Sequence, residues 1–411
     1  MAANEKHTIV IIGGGSAGIA TAASLLKRRR GLDIAIVEPG DAHYYQPGWT
    51  MVGGGVFKAP VTCRPMSAVM PRGVTWIKAA ASRFEPDNNT VLLHDGGRVS
   101  YELLIVAPGI KLDWGQIEGL EATLGKNGVT SNYRYDLAPY TWQLVNELKS
   151  GRAIFSQPVM PIKCAGAPQK AMYLSCDTWR ESGVLDDIEV DFCNAGAVLF
   201  GVAAYVPALT EYVERYGINC NFGENLIAVD GHGKTATFKT ESGEVTRDFD
   251  MLHVVPPQVA PDFIRESPLA GDTGFVAVDD YTLRHKTYPN IFGLGDAGSM
   301  PNAKTAAAVR KQAPIVAVNA LSVLDGGKPL VKYDGYGSCP LTVEHGRIVL
   351  AEFGYGGNLL PTFPEWLIDG TKARRLSWIL KSELLPWIYW NGMLKGHEWL
   401  VRPTTRLSHP A

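Results

Sequence analysis

The stretch HTIVIIGGGSAGIATAASLLKRRRGLDIAIVEPG, residues 7–40, decides the fold that the sequence predicts. Residues 8–12 form a continuously apolar run, as a strand buried on both faces of a parallel sheet does. Apolar residues then recur at helical spacing from about Ser16, and a second apolar strand follows at 33–37. Strand, helix and strand in this order predict the βαβ unit of a Rossmann-like α/β fold.

Three glycines join the first strand to the helix at the spacing that a dinucleotide needs. Gly13 permits the tight turn, Gly15 lets a pyrophosphate approach the backbone, and Gly18 lets the helix pack closely on the strand. The helix N-terminus offers free N–H groups and a partial positive charge to the phosphates. Glu38 follows at the distance of about 20 residues at which such folds place an acid for the ribose. These residues predict a dinucleotide site, the alternative being a tight turn that binds no nucleotide.

The composition narrows the class of protein. The chain has 411 residues, 46% of them hydrophobic and 19% charged, as an ordinary folded protein of two or three domains has. A net charge of −2 gives no reason to expect nucleic acid as a partner. The nine histidines show no ligand spacing, so we predict no metal site. The basic run KRRR (27–30) ends the first helix and is interpreted as a solvated turn.

Two distant stretches predict FAD as the dinucleotide. YPNIFGLGDAG carries Asp296 at the end of a strand, and Lys304 and Thr305 begin the helix that follows. This stretch resembles the second FAD motif of the two-dinucleotide-binding flavoprotein family, in which the Asp binds the ribityl chain. IVAPG, which ends in Gly109, resembles the strand and turn that join the two nucleotide domains in that family.

A second α/β unit is predicted without a second glycine motif. Its strands are expected near 152–155, 188–193 and 251–255. The candidate loops, PIKCAGAPQK (161–170) and CNAGAVLFG (193–201), do not carry three glycines at the required spacing. We therefore predict an electron donor that needs no nucleotide pocket, while a degenerate site that still binds NAD is left open.

Two of the six cysteines have unusual settings. Cys164 lies in a loop bracketed by prolines, beside Lys163, whose ammonium would favour the thiolate. Cys339 lies between a glycine turn and a proline. The other four are predicted to be inert or small core residues: Cys63, Cys176, Cys193 and Cys220.

Four stretches carry a more specific resemblance: HYYQPGWTMVGGG, PIKCAGAPQKAMYL, GLGDAGSMPNAKTAAAV and YDGYGSCPLTVEHGRIVLAEF. They resemble the sulfide:quinone oxidoreductase family, and within it the two-cysteine branch, over nearly the whole chain. The resemblance implies a redox pair of Cys164 and Cys339, which hydrosulfide attacks to leave a persulfide on Cys339. The released Cys164 thiolate then passes two electrons to FAD and on to a membrane quinone. The sulfane sulfur leaves to an acceptor, which is sulfite, glutathione or another thiol, or sulfide.

The same resemblance implies further contacts to the flavin. Ser16, Ala17, Gln46 and Ala81 are expected to line FAD. Lys381 is expected near the pyrimidine edge, where a cation would stabilise the anionic reduced flavin. An ordinary solvated lysine is the alternative at this position.

The C-terminal region is aromatic and basic, and residues 371–400 predict an amphipathic helix that Pro386 should kink or split. Five apolar residues fall on one helical face: Leu376, Ile379, Leu380, Leu384 and Trp387. The basic residues of the region are Lys372, Arg374, Arg375, Lys381, Lys395, Arg402 and Arg406. Aromatic and basic residues favour the membrane interface, so we predict a monotopic anchor through which a lipid quinone reaches the flavin. A helix packed on the protein's own sheet or on a dimer partner is the alternative.

These predictions combine into a fold of two Rossmann-like domains with an amphipathic helical tail. The expected units are a discontinuous FAD-binding domain (1–110 and 271–345), a second domain without a working NAD site (111–270), and a region that contacts quinone and membrane (346–411). With no visible presequence, we expect the cytoplasmic side of a bacterial inner membrane. A homodimer is left open. The alternative functions are a type II NADH:quinone oxidoreductase and an FAD-bound redox sensor without turnover.

Overall fold

The computed structural model describes residues 4–403. Its first part contains the predicted βαβ unit, with the first helix starting at Ser16 as expected. The elements of this part are β1 (Asn4–Ile12), α1 (Ser16–Arg28), β2 (Ile34–Val37), β3 (Ala42–Tyr44), α2 (Trp49–Gly53), β4 (Cys63–Pro65), α3 (Met66–Val69), β5 (Val74–Ile77), β6 (Ala81–Glu85), β7 (Thr90–Leu93), β8 (Arg98–Val106) and β9 (Lys111–Leu112).

The first sheet has the strand order β5-β2-β1-β8-β7-β6, and a later strand, β19 (Ile291–Gly293), pairs with β8. β1 runs parallel to both β2 and β8, which buries its apolar run on both faces. The alternation and turn residues of 74–101 predict one antiparallel meander from the sequence, and for β5 this prediction is wrong. β5 pairs in parallel with β2 and extends the main sheet, whereas β6, β7 and β8 pair antiparallel. The pattern of a half-exposed strand does not show which edge it joins.

The middle part contains the predicted second α/β unit. Its elements are α4 (Leu120–Thr123), β10 (Val129–Thr130), α5 (Ala138–Glu147), β11 (Gly151–Gln157), α6 (Ala167–Glu181), β12 (Ile188–Asn194), α7 (Val206–Arg215), β13 (Asn219–Phe222), β14 (Asn225–Asp230), β15 (Thr235–Thr240), β16 (Gly243–Asp248), β17 (Met251–His253), β18 (Gln258–Val259) and α8 (Asp262–Arg265). The parallel sheet has the order β10-β17-β11-β12-β13. The loop between β11 and α6 therefore lies at the carboxyl end of the central strand, where open α/β sheets bind ligands.

After β19 the chain forms one long helix, a hairpin and the tail. These elements are α9 (Ala306–Leu324), β20 (Gly337–Glu344), β21 (Arg347–Phe353), α10 (Arg375–Ile379) and α11 (Leu385–Trp387). The hairpin packs on α6, and side chains from β20 and β21 join the apolar core of the second sheet. The expected domain boundary after residue 345 falls in the turn of this hairpin, and the domain limits stay predictions.

The tail helix runs through Pro386 without a break. Residues 380–384 and 388–392 form π-helical turns on either side of α11, and their flanking residues keep right-handed helical dihedral angles. The helix is therefore not split at Pro386, so that alternative of the prediction is wrong. No helix within residues 4–403 is long and apolar enough to cross a membrane. Arg406, counted among the basic residues of the tail, lies outside the described residues.

Candidate active site

The fold brings Cys164 and Cys339 together from positions 175 residues apart in the sequence. Cys164 lies in the loop before α6 and Cys339 in β20, and their Sγ atoms are 3.4 Å apart. Gly166 permits this approach, because a Cβ atom there would lie 2.6 Å from the Cys339 sulfur. A disulfide bond of about 2.05 Å requires the sulfurs to close by little more than 1 Å, roughly the reach of a side-chain rotation. The geometry suits a reversible thiol pair.

Hydrogen bonds hold the Cys164 loop on both sides. Cys164 has a left-handed φ of 52°, which is uncommon for a residue other than glycine. Its N–H donates to the Lys304 carbonyl at 2.8 Å, beside the N-terminus of α9. The Tyr133 hydroxyl donates to the carbonyls of Lys163 (3.0 Å) and Cys164 (3.3 Å). The loop is thereby tied to the segment that was predicted to bind the flavin.

The cation that contacts the Cys164 sulfur is Lys170, whose Nζ lies 3.0 Å from Sγ. Hydrogen bonding from Cys339 lowers the pKa of the Cys164 thiol well below its usual value, and the Lys170 ammonium acts in the same direction against burial. The same pairing raises the pKa of Cys339. Burial alone would lower the pKa of Lys170, but the two facing sulfurs outweigh burial and raise this pKa above its usual value. The reduced pair is therefore a Cys164 thiolate that accepts a hydrogen bond from a Cys339 thiol.

Lys163, which was expected to activate Cys164, points elsewhere. Its Nζ donates to the Gln46 side-chain oxygen at 2.7 Å and lies over the rings of Trp49 and Tyr133. Sequence reasoning missed Lys170, although α6 begins three residues after Cys164 and its first turns face back over the loop. The helical pattern after Cys164 could have revealed this contact. A side chain in the first turn of a helix can lie against the loop that precedes the helix.

The glycine loop after β1 fits a dinucleotide. A Cβ atom on Gly13 would lie 2.5 Å from the Ala107 carbonyl oxygen, and one on Gly18 would lie 1.9 Å from the Gly13 oxygen. These two glycines are required by packing within the protein. Gly15 is not, because a Cβ there meets nothing within 4 Å. It lies at the uncapped N-terminus of α1, which leaves the open space and free amides that a pyrophosphate needs.

The acids and the second helix also fit FAD. The Glu38 carboxylate accepts hydrogen bonds from the Gly14 and Gly40 amides, both at 2.7 Å, and so is held at the end of β2. Burial raises the pKa of Asp296, which follows β19. Lys304 donates to the carbonyls of Asp296 and Gly298, both at 2.8 Å, and the Thr305 hydroxyl caps α9.

The other predicted flavin contacts are distributed around these loops. Lys381 is buried, with Nζ 2.9 Å from the Pro47 carbonyl, so the alternative of a solvated lysine is wrong. Burial and the neighbouring Lys170 ammonium lower its pKa to about 7. Ala81 is buried at the start of β6, and Gly109 has a left-handed φ of 84° with free space at its Cβ position. Their contacts to FAD stay predictions.

The tail reaches back to the glycine loop through a chain of hydrogen bonds that sequence reasoning missed. The Tyr389 hydroxyl lies 2.8 Å from Ser16 Oγ and 2.6 Å from His43 Nε2, and His43 Nδ1 lies 3.0 Å from the Gly14 carbonyl. Burial lowers the pKa of His43 to about 4, so the ring is neutral. Its Nδ1 therefore donates to Gly14, and its Nε2 accepts from Tyr389, which leaves Ser16 as donor to Tyr389. Ala17 is buried beside this chain.

Known proteins are similar to this chain over nearly its whole length. The family model for pyridine nucleotide-disulphide oxidoreductases matches residues 7–154. The mitochondrial sulfide:quinone oxidoreductase of Dictyostelium discoideum is 43% identical over 96% of this chain and 87% of that protein. The mitochondrial enzyme of Mus musculus is 40% identical over 96% and 88%. These names give no support to the predicted bacterial inner membrane.

A solved structure shares the fold. The sulfide:quinone oxidoreductase from the hyperthermophilic bacterium Aquifex aeolicus superimposes with a TM-score of 0.81 at 18% identity, over 98% of each chain. The two Rossmann-like units and the C-terminal helix of the prediction are therefore the fold of this chain.

Proposed function

Because the chain belongs to the sulfide:quinone oxidoreductase family, we propose that Cys164 and Cys339 are the pair with which it oxidises sulfide. Members of this family are FAD-dependent oxidoreductases, and the glycine loop, Glu38 and Asp296 are the residues that would hold the cofactor. One observation carries the proposal. The two sulfurs lie 3.4 Å apart beside a lysine ammonium, in the loop where a second nucleotide would otherwise bind.

The first step of the proposed cycle is thiol–disulfide exchange. Hydrosulfide attacks Cys339 Sγ of the oxidised pair, forms a new S–S bond there, and breaks the bond to Cys164. The products are a persulfide on Cys339 and a thiolate on Cys164. The direction follows from the environment, because the sulfur with the lower pKa is the better leaving group and Lys170 stabilises its charge.

The second step transfers sulfur, and the third restores the disulfide. An acceptor, either sulfite, glutathione or another thiol, or a second sulfide, takes the outer sulfur and leaves Cys339 as a thiol. Its raised pKa favours this protonated form. Reforming the disulfide releases two electrons and one proton. When bound, FAD would supply the two-electron acceptor between this pair and quinone.

Lys381 is proposed to balance charge at the site. Its pKa of about 7 lets it gain or lose a proton near neutral pH, and negative charge on Cys164 raises its proton affinity. Nζ is held by the Pro47 carbonyl, on the same segment as Gln46. A proton at this atom would offset negative charge that develops nearby during turnover.

The tail helix is proposed to lie on a membrane surface, from which quinone enters. Three polar side chains between residues 376 and 387 are buried, namely Ser377, Lys381 and Ser382, whereas the apolar face of this part is directed outward. Leu376, Ile379, Leu384 and Trp387 on that face are each 43–54% exposed. In this part the orientation is the reverse of a helix packed on its own protein, so its apolar face is available to lipid.

Anaerobic titration of the FAD-loaded protein tests the proposed pair. We expect sulfide, and not NADH, to bleach the visible flavin absorbance. Cys164→Ser and Cys339→Ser should each abolish sulfide-driven quinone reduction, because either change leaves no disulfide to attack. Cys220→Ser is the matched control, since that partly buried thiol lies on β13 in the second sheet. Bleaching by NADH alone, or full activity in a Cys164 or Cys339 variant, would contradict the proposal.

A further inference from the structure

A basic groove lies where the end of α1, the segment after α3 and the tail meet. It has a volume of about 760 Å³, and its cations are Lys27, Arg30, Arg72 and Lys395. None of the lining residues is acidic, although the chain as a whole has a net charge of −2. Within residues 4–403 these four side chains form no ion pair. The intervening residues of the KRRR run differ, since Arg28 pairs with Glu398 and Arg29 with Asp325.

Four apolar residues also line the groove: Leu26 from α1, Met70 and Pro71 after α3, and Leu394 from the tail. Leu26, Met70 and Pro71 are partly exposed, whereas Leu394 is buried. Cations beside partly exposed apolar residues suit a ligand that carries both negative charge and hydrocarbon.

The groove is continuous with the exposed aromatic end of the tail. Lys27 Nζ lies 3.0 Å from His397 Nδ1, and the His397 ring stacks on Trp399 at 5.1 Å. Trp399 in turn stacks on Trp387 at 5.6 Å, and the two indoles are 45% and 52% exposed. A surface that inserts these indoles into the interface of a bilayer would therefore bring its headgroups to the groove.

From this geometry we propose that the groove binds the phosphate headgroup of an anionic phospholipid. The proposal rests on the membrane attachment proposed above, and it adds that the groove selects anionic phospholipids. The four cations bind the phosphate, while the acyl or glycerol carbons cover Leu26 and Met70. The KRRR run is thus not only a solvated helix end, because two of its four residues form the lipid site and the other two fix the tail and α9 around it.

Vesicle flotation of the full chain with bound FAD tests this proposal. Binding is measured with phosphatidylcholine vesicles and with vesicles that also contain phosphatidylglycerol. We expect tighter binding to the anionic vesicles, and this gain should decrease with salt. The variant Arg30→Gln/Arg72→Gln should lose roughly tenfold of the affinity for anionic vesicles while keeping that for neutral ones, since each cation near an anionic surface favours binding. Arg83→Gln/Lys239→Gln removes two exposed charges elsewhere and is the matched control.

The outcomes separate the lipid site from the membrane anchor. An anionic gain that survives in the groove variant, or is lost equally in the control, overturns the lipid site and leaves the anchor standing. Groove-dependent binding to anionic vesicles without any binding to neutral ones supports the lipid site and contradicts the apolar anchor. Stabilisation of the protein by inorganic phosphate that the groove variant loses, without a vesicle gain, overturns the lipid in favour of a soluble phosphate.

Discussion

Cys164 and Cys339 differ in charge because their surroundings differ, although both are cysteines at the same site. Cys164 accepts hydrogen bonds from the Cys339 thiol and from Lys170. Cys339 faces the resulting thiolate, whose charge raises its pKa. A thiolate beside a thiol would make the two ends of the proposed disulfide unequal, and this inequality would set the sulfur at which a nucleophile attacks.

Lys170→Gln should weaken the proposed chemistry by removing the ammonium beside Cys164. A hydrogen bond to a charged group is worth about 1.5–3 kcal/mol, so we expect a fall of roughly tenfold or more in kcat/KM for sulfide at neutral pH. Because the pKa of Cys164 rises when this cation is lost, the acid limb of the pH–rate profile should move to higher pH. Steady-state quinone reduction across pH measures both effects.

Lys170→Arg and Lys149→Gln serve as the comparisons for that experiment. Arginine keeps the positive charge and should restore part of the rate, whereas Lys149 is exposed and lies away from the pair. A Lys170→Gln enzyme with an unshifted pH profile would show that Lys170 only packs in α6.

At the scale of elements, one histidine joins α2, α6 and the β20–β21 hairpin that carries Cys339. His345 Nδ1 lies 2.8 Å from Asp177 in α6, and Nε2 lies 2.9 Å from the carbonyl of Gly54, just after α2. Both ring nitrogens face acceptors, which favours the imidazolium with two N–H donors. Against burial, the hydrogen bond to Asp177 raises the pKa of His345.

The hydrogen bonds of His345 to Asp177 and Gly54 predict a contribution to stability that depends on pH. The raised pKa of His345 gives stability that is full below about pH 6.5 and is lost as pH rises through the folded value. Burial alone would raise the pKa of Asp177, but His345 and Arg180 lower this pKa to about 2. The contribution of Asp177 to stability is therefore full above about pH 3.9 and is lost as pH falls toward 2. His345→Gln should therefore cost about 1 kcal/mol between pH 4 and 6.5, and less above.

Urea unfolding of the wild type and the His345→Gln variant at several pH values measures this difference. His94→Gln, at an exposed histidine, is the control and should change little. A loss of stability that is the same at pH 5 and pH 9 would assign His345 to packing alone.

At the scale of the whole molecule, the proposed FAD site draws on both ends of the chain. The glycine loop and Glu38 come from the first sheet, Asp296 from the return of the chain to that sheet, and Tyr389 from the tail. FAD binding should therefore stabilise the entire protein. At a free concentration 100 times Kd, ligand binding adds about 2.7 kcal/mol.

Gly15→Ala and Gly18→Ala should separate cofactor binding from folding. At Gly15 the added methyl meets no protein atom and φ is −72°, so we expect an unchanged Tm without FAD and a smaller rise with it. At Gly18 the methyl meets the Gly13 oxygen at 1.9 Å, so the Tm should already fall without FAD. Calorimetry with and without FAD measures both, and an unchanged FAD-induced shift in Gly15→Ala would contradict the assigned phosphate site.

The local features of the sequence predicted much of this molecule. The βαβ unit, the start of α1, the three predicted strands of the second sheet and the start of α9 beside Thr305 all appear where the patterns placed them. These features depend on residues close in the chain, since glycine spacing and apolar period act within one strand or turn. The resemblance to a known family also singled out Cys164 and Cys339, which the fold brings together although no local pattern pairs residues 175 positions apart. Their role as a redox pair stays a proposal.

The sequence by itself thus determined the elements and the family, and only the tertiary structure decided the contacts that set the chemistry. Packing chose Lys170 over Lys163 as the cation at Cys164, put Lys381 inside and the apolar face of its helix outside, and joined β5 to the parallel sheet. Packing also placed Lys27 and Arg30 of the KRRR run at the groove. The physical reason is range: backbone conformation follows from neighbours in the chain, whereas pKa, burial and charge pairing follow from neighbours in space.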